Sequence, residues 1–599
     1  MTNSVASKVD DSAPAKKGQN RGMSPRILST LLLLVPPVVA GALVFITLRH
    51  RELNEVYYVN SAYYLITVML AVYACVELSG LGTFGVAKQW LRDHWAGLLM
   101  TTVVCGVVLA AVAPGYRVLA DEANLIGVSK NLFYQRTASF ATTGKWYFEN
   151  FWNLNMATDR RPTLFPYFVS LLHVMRGYHP ENGFHFNAIV FVLFVFAAYR
   201  LAKGWAGELF GLATAVLVAT NPNTLIAARS AGFDLLACFM LLVVMRGFVE
   251  FSIQRTPRRL AILAMQLCLL AHVRYEGWAL MLAAGAVLFS TRMIRREHFE
   301  GFAYLYSFLP IFMLPRYWQS IAKANDAEQP LSAALFSLKG LLHNVGEYLH
   351  LLRRPLDVNG PHSPLLMILA IGGILLFVVS QSLAWRKKSI SALTFKHLLL
   401  AAVLIGAEFV ISFSYNWGKS LHPSSCRLFI WLDTVVAFAA AWTLTMVGRQ
   451  FTMSVAVLNR QSAAPATLVS SLALFAMHVP IASEARFTNS LVLTRQAAVT
   501  WRFFENLHNK NILIMTDRPG LFTIMDYGSL DITSAVGDRG PLLELSRRLY
   551  EDVYLIQEVD LNTHQPLQQF DVWPDVPKET VLEFQNTDSA SVRIAKLKR

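Results

Sequence analysis

Two adjacent carboxylates, Asp121 and Glu122, stand in the stretch "LADEANLIGVSKNLFYQ" (119–135), just after the apolar run "GLLMTTVVCGVVLAAVAPGY". A carboxylate held at the edge of an apolar medium is a candidate general base. Apolar residues at 125, 128 and 132 recur at helical spacing, which puts both acids in the first turn of a helix. The helix dipole stabilises carboxylates there even without any chemistry to do.

Four further stretches bring cations. "DRRPTLFPYFVSLLHVMRG" (159–177) sets Arg160 and Arg161 before Pro162 and a largely apolar helix. Arginine forks suit an anionic group, although an ion pair with Asp159 accounts for them as well. "NPNTLIAARSAGFDLL" (221–236) places Arg229 and Asp234 in a short turn, where pairing with each other is the simplest expectation. "LLAHVRYEGWALML" (269–282) interrupts two apolar runs with His272, Arg274 and Glu276, and ionisable residues at such depth are functional candidates by default. "SYNWGKSLHPSSCRLFIWLD" (414–433) supplies Lys419, His422 and Arg427, the last of which also fits a snorkelling position before an apolar run. A carboxylate base among such cations suits one chemistry. The base takes a proton from an acceptor hydroxyl while a phosphate leaves an anomeric carbon, and the cations stabilise the developing phosphate charge.

The elements that must position these residues are apolar. The chain has 599 residues, 54% of them hydrophobic and 15% charged, well below the roughly 25% charged of a soluble domain. Runs near the length needed to cross a bilayer lie at approximately 27–48, 60–84, 95–114, 185–202, 206–222, 233–250, 259–274, 277–291, 301–318, 364–385, 396–415, 426–447 and 465–481. About thirteen transmembrane helices are therefore expected. Lys and Arg gather in alternate loops: the N-terminal tail, Lys88 and Arg92, Lys203, Arg255/Arg258/Arg259, Arg292/Arg295/Arg296, Arg386/Lys387/Lys388, and Arg449 with Arg460. By the positive-inside rule these loops and the N-terminus are cytoplasmic. The same pattern explains much of the formal net charge of +14 without nucleic acid as a partner. All five acid and cation stretches then face outward, with a long external loop at 115–184.

Residues 1–26 form a polar, basic, disordered cytoplasmic tail, and 27–481 a membrane domain. Residues 482–599 read as a small extracytoplasmic α/β domain, with strands in "NILIMTD", "DVYLIQEVD" and "VLEFQN" and a helix in "GPLLELSRRLYE" (540–551). "TDRPG" (516–520) is a turn without a glycine-rich phosphate loop. The five cysteines are scattered in or beside apolar runs and suggest neither disulfides nor a zinc site. Trp146, Tyr147, Phe148 and Trp152 in the long loop are suited to the membrane interface or to stacking on a sugar.

Taken together, "ADEANLIGVSKNLF", "RRPTLFPYFVSLL", "AHVRYEGWALML" and "CRLFIWLDTVVAFAAAW" resemble, in order and sidedness, the motifs of the GT-C membrane glycosyltransferases. The likeness is to their protein mannosyltransferase and aminoarabinose transferase group, over roughly residues 95–447. The resemblance implies an α-helical polytopic membrane protein of the cytoplasmic (inner) membrane. It further implies an inverting transferase with a polyprenyl-phosphate sugar donor and a lipid, glycan or protein acceptor, working among membrane lipids on the outer side. It places Asp121 at the catalytic position with Glu122 in support, Arg161 on the donor phosphate, and Arg274 and Arg427 as further phosphate or sugar contacts. No cofactor is indicated, although some relatives with lipid-linked oligosaccharide donors use a divalent ion. The sequence departs from the group in having two additional leading spans, Arg rather than Lys at 161, and "HPSSCRLF" around Arg427. A transporter or lipid-linked glycan flippase is the rival expectation, and a non-catalytic assembly factor a third.

Overall fold

The structure is a computed structural model. It describes all residues except 1–24, 80–83, 118, 160, 323–335, 356–359, 387–391, 416–417, 420, 423–424, 455–462, 484–491, 533–543, 545, 568–574, 588 and 599.

Three long helices open the chain: α1 (Pro25–Arg49), α2 (Glu52–Leu78) and α3 (Phe84–Ala111). Two shorter ones follow, α4 (Leu119–Tyr134) and α5 (Leu164–Arg176), separated by a hairpin of β1 (Phe140–Tyr147) and β2 (Asn150–Ala157). The bundle continues through α6 (Asn182–Ala206), α7 (Glu208–Thr220), α8 (Pro222–Ala227), α9 (Asp234–Ile253), α10 (Pro257–Val273), α11 (Gly277–Ser290) and α12 (Ala303–Ile321). It closes with α13 (Leu338–His350), α14 (Pro364–Arg386), α15 (Ala392–Ser414), α16 (Ile430–Ser454) and α17 (Ala463–Ser483). A helix lies over each of the thirteen apolar runs. Seven of the described helices are long and apolar enough to cross a membrane. Others are shorter: α7 has 13 residues and α11 has 14, about 20 Å each at 1.5 Å per residue.

Local chemistry fixes several boundaries. Asn221 ends α7, and its side chain accepts from the Asn223 backbone N–H at 2.9 Å while Pro222 begins α8. Thr256 caps α10 in the same way, with Pro257 following; proline is suited to the first helical position because its missing N–H has no partner there. Gly277 starts α11 directly above α10. A Cβ at that position would come 2.2 Å from the Leu270 carbonyl oxygen, so the turn between the two helices requires glycine.

The C-terminal region is a five-stranded sheet in the order β4-β3-β5-β7-β6, with β3 (Ile512–Thr516), β4 (Gly528–Asp531), β5 (Asp552–Asp560), β6 (Lys578–Gln585) and β7 (Ala590–Leu597). The β4–β3–β5 half is parallel, and β5–β7–β6 is antiparallel. Helix α18 (Val492–Leu507) packs on it through Phe504, whose ring meets those of Phe522, Tyr527 and Tyr554. Strands β4 and β7 were not expected from the sequence. Of the helix expected at 540–551, residues 540–543 and 545 lie outside the described residues, and 546–549 are helical.

The aromatic part of the 115–184 loop is the β1–β2 hairpin. Its turn residues Phe148 and Glu149 have φ of 47° and 62°, a left-handed conformation that usually falls to Asn or Gly. Phe148 is 79% exposed, and Tyr147 and Trp152 are also exposed. Trp146 instead lies under the Lys510 ammonium, 5.7 Å from it.

Candidate active site

Asp121 lies in the first turn of α4, at the end of the bundle where α3, α7, α10, α12 and α15 finish and α9, α11 and α16 begin. Its two carboxylate oxygens are taken by two arginines. Arg161 Nη2 bonds one and Arg427 Nη2 the other. Each arginine is also held from behind by a second acid. Arg161 Nη1 meets Asp159 at 2.9 Å, and Arg427 Nη1 lies 3.5 Å from Asp234. Asp234 also faces Arg274 at 3.6 Å, and Arg274 meets Glu276 at 3.2 Å. The result is one alternating chain, Asp159–Arg161–Asp121–Arg427–Asp234–Arg274–Glu276. Asp121 has the most open side chain in it, 21% exposed, while Asp159 and Asp234 are buried. Glu408 on α15 adds a buried carboxylate near Arg274 and Glu276.

The electrostatics follow from this arrangement. Burial alone would raise the Asp121 carboxyl, but the Arg427 and Arg161 guanidiniums outweigh it and hold the pKa at about 2. Burial works against the charge on Arg161 also, yet its paired acids Asp159 and Asp121 keep it above the ordinary arginine value.

Glu122 does not share the position of Asp121. It is 1% exposed, and its carboxylate accepts from the Arg117 backbone N–H at 3.2 Å and the Ala231 N–H at 3.0 Å. Sequence proximity makes the two acids look like a pair, but successive helical residues point about 100° apart. Glu122 therefore ties α4 to the α8–α9 turn and stands apart from Asp121. Arg229 is a second correction. It does not pair with Asp234; its Nε donates to the Val112 carbonyl at 2.9 Å, leaving Asp234 to Arg274 and Arg427. Lys419 and His422 are exposed in the loop before Cys426, and among the described residues no ion pair brings Lys419 into the chain. Arg160 lies outside the described residues.

Three buried residues complete the site without having been singled out in the sequence. Arg316 on α12 has no carboxylate partner among the described residues. Its Nη1 reaches Gln319 Oε1 at 3.3 Å, its Nε has no partner, and its guanidinium sits 5.6 Å from the Tyr275 ring. Gln319 in turn donates to the Arg161 carbonyl and, at 2.9 Å, to the Tyr58 hydroxyl. Arg117 bonds Asn223 and the Cys426 sulfur. Asn223 then donates to the Cys426 carbonyl at 2.7 Å and to Asp433 at 3.0 Å, and Asp433 meets His362 at 2.9 Å. That buried network fixes the 3₁₀ turn Cys426–Phe429, and with it Arg427. Among the described residues, no group of three or more His, Cys, Asp or Glu side chains is placed to hold a metal ion.

No protein-family model matches the sequence, and comparison with curated proteins finds no match. Among solved structures, ArnT from Cupriavidus metallidurans bound to undecaprenyl phosphate aligns with a TM-score of 0.54 at 12% identity, covering 84% of this chain and 98% of that one. The apo state of the same protein aligns with a TM-score of 0.52 at 12% identity, over 85% and 98% of the two chains. A weaker likeness, TM-score 0.44 at 12% identity over 78% and 70% of the chains, extends to the Archaeoglobus fulgidus oligosaccharyltransferase. The alignment with ArnT runs through nearly the whole of that protein. The chain therefore shares the fold of ArnT, and its long apolar helices are those of a multi-pass membrane protein.

Proposed function

We propose that the protein is an inverting glycosyltransferase. It moves a sugar, hexosyl or pentosyl, from a polyprenyl-phosphate donor to a lipid, glycan or protein acceptor at the outer face of the cytoplasmic membrane. The observation that carries this reading is Asp121 suspended between Arg161 and Arg427, each anchored separately by Asp159 or Asp234. An arriving phosphate takes the two guanidiniums from Asp121 without setting them loose, because the rear acids keep their orientation. Asp121, relieved of its cations, becomes a stronger base at the moment a donor is bound. It then accepts the acceptor hydroxyl proton. The acceptor oxygen bonds the anomeric carbon, the bond from that carbon to the phosphate oxygen breaks, and the lipid phosphate leaves with the electron pair.

Charge balance supports a phosphate ligand. The chain of four acids and three arginines is already net negative, so a further anion needs a cation of its own. Arg316, buried beside Tyr275 and without a carboxylate partner among the described residues, supplies one; an unpaired buried charge is costly until a counter-ion arrives. That ArnT binds undecaprenyl phosphate on this fold agrees with a lipid phosphate as the ligand. The decisive experiment supplies membranes containing the protein with a radiolabelled polyprenyl-phosphate sugar. Asp121→Asn is expected to lower transfer by about 10³-fold or more at unchanged protein level. Transfer at the wild-type rate would overturn the reading.

A further inference from the structure

Helix α4 carries Asp121 near one end and Lys130 nine residues further on. The Lys130 ammonium is buried. It donates to Asp526 Oδ1 at 2.7 Å and to the Thr523 carbonyl at 2.6 Å, and lies 4.1 Å from the Phe151 ring centroid. One cation thus joins the acid-bearing helix, the hairpin and the C-terminal sheet domain. The same loop of that domain makes further bonds to the α4 region. The Tyr178 hydroxyl donates to the Ile524 carbonyl at 2.6 Å, and the Thr523 hydroxyl donates to the Ala141 carbonyl at 2.9 Å. The seam is tight at Gly127, where a Cβ would come 2.9 Å from Phe140 Cβ and 3.7 Å from Ile524 Cγ2. Asp526 itself holds φ of 64°, a conformation that costs a non-glycine residue free energy.

Net stability is a poor explanation for this pair. A buried ion pair is often no more stabilising than apolar side chains of the same volume, and its best-attested use is to fix register. Burial pulls the Lys130 ammonium toward the neutral form, and Asp526 opposes this. What the pair fixes is the angle of α4. Nine residues of helix span about 13.5 Å, so a tilt of about 5° about Lys130 moves Asp121 by about 1 Å. A displacement of that size costs on the order of 10²-fold in rate at a reacting centre.

We propose that Lys130 is a positioning residue: through Asp526, the C-terminal domain clamps the acid-bearing helix, and sugar transfer depends on that domain being docked. The activity part of this inference rests on the glycosyltransferase reading; the clamp itself does not. The test uses the full-length protein and the variants Lys130→Met, Asp526→Asn and Lys130→Arg. The first two are expected to lower kcat about tenfold or more with donor KM unchanged within about twofold, and Lys130→Arg to recover most of the loss. Hydrogen–deuterium exchange across 119–134 and 520–527 is expected to rise together in Lys130→Met and in Asp526→Asn, the second variant serving if the first does not fold. Wild-type kcat in a folded Lys130→Met protein, or unchanged exchange in α4 of both variants, would overturn the clamp. If the wild-type protein transfers no sugar, the functional reading fails, and the exchange measurement alone decides the clamp.

Discussion

In the proposed function Asp121 is the general base, yet a carboxyl with a pKa of about 2 is a poor base near neutrality, and the geometry around it offers a way out. Both guanidiniums have somewhere else to bind, so the cost of releasing them falls when a phosphate is present. The acid limb of kcat/KM, which reports the free enzyme, is therefore expected to show no Asp121 titration above about pH 4, while the limb of kcat, which reports the complex, lies at higher pH. Coincident limbs in a pH–rate series would contradict this. The sign for stability runs the same way. The depressed carboxyl stabilises the fold above the ordinary carboxylate range, and that contribution fades as pH falls toward about 2. Removing a rear acid has a different signature. Asp159→Asn or Asp234→Asn leaves the base intact but frees an arginine to fold onto Asp121, so donor KM is expected to rise about tenfold in steady-state assays. Asp121, Arg161, Arg274 and Arg427 were legible in the sequence because charged residues stand out at the ends of apolar runs. Arg316 and Gln319 were not, because "IFMLPRYWQS" places Arg316 inside such a run and Gln319 just past its end. Only the folded structure reveals that Gln319 faces Tyr58 and Arg161 and that Arg316 faces Tyr275.

At the scale of elements, the site depends on how two turns are made. The α10–α11 turn holds Arg274 and Glu276, and Gly277 is what allows the two helices to meet so closely. Gly277→Ala would drive a methyl group into the Leu270 carbonyl. It should destabilise the protein by about 1–3 kcal/mol, visible as a lower Tm in detergent, together with weaker donor binding because Arg274 shifts. A wild-type Tm would show that the turn relaxes freely. Helix α4 was predictable from the spacing of Leu125, Val128 and Leu132 and begins where expected. The hairpin was not. "FATTGKWYFENFWNLNMA" carries Phe-Glu where a two-residue turn normally carries Asn-Gly, so the turn signal is missing. The strands β4 and β7 escaped for simpler reasons: "GSLD" is short, and "ASVRIAKL" alternates poorly because most of it is buried on both faces.

The architecture of the whole molecule was the most legible part. Thirteen apolar runs correspond to thirteen helices, since a long apolar segment in lipid has no other way to satisfy its backbone. The proposed sidedness is open to direct test. In a chain carrying Cys75→Ser, with its four remaining cysteines buried, a cysteine placed at Lys419 or Asn562 should react with an impermeant maleimide on intact cells. One placed at Arg255 should react only after permeabilisation. The reverse pattern would invert the topology. The ion-pair chain also carries a consequence in time. Asp121 and Arg427 are separated by 306 residues, and Lys130 and Asp526 by 396. At about 5–20 residues per second, roughly 15–60 s pass between synthesis of Asp121 and arrival of its second arginine. For that interval the nascent bundle carries acids whose partners have not been made, and the clamp on α4 closes later still. On the proposed function a half-made molecule is thus an inactive one, and Asp121 does not meet its full set of cations until most of the helical bundle has been synthesised.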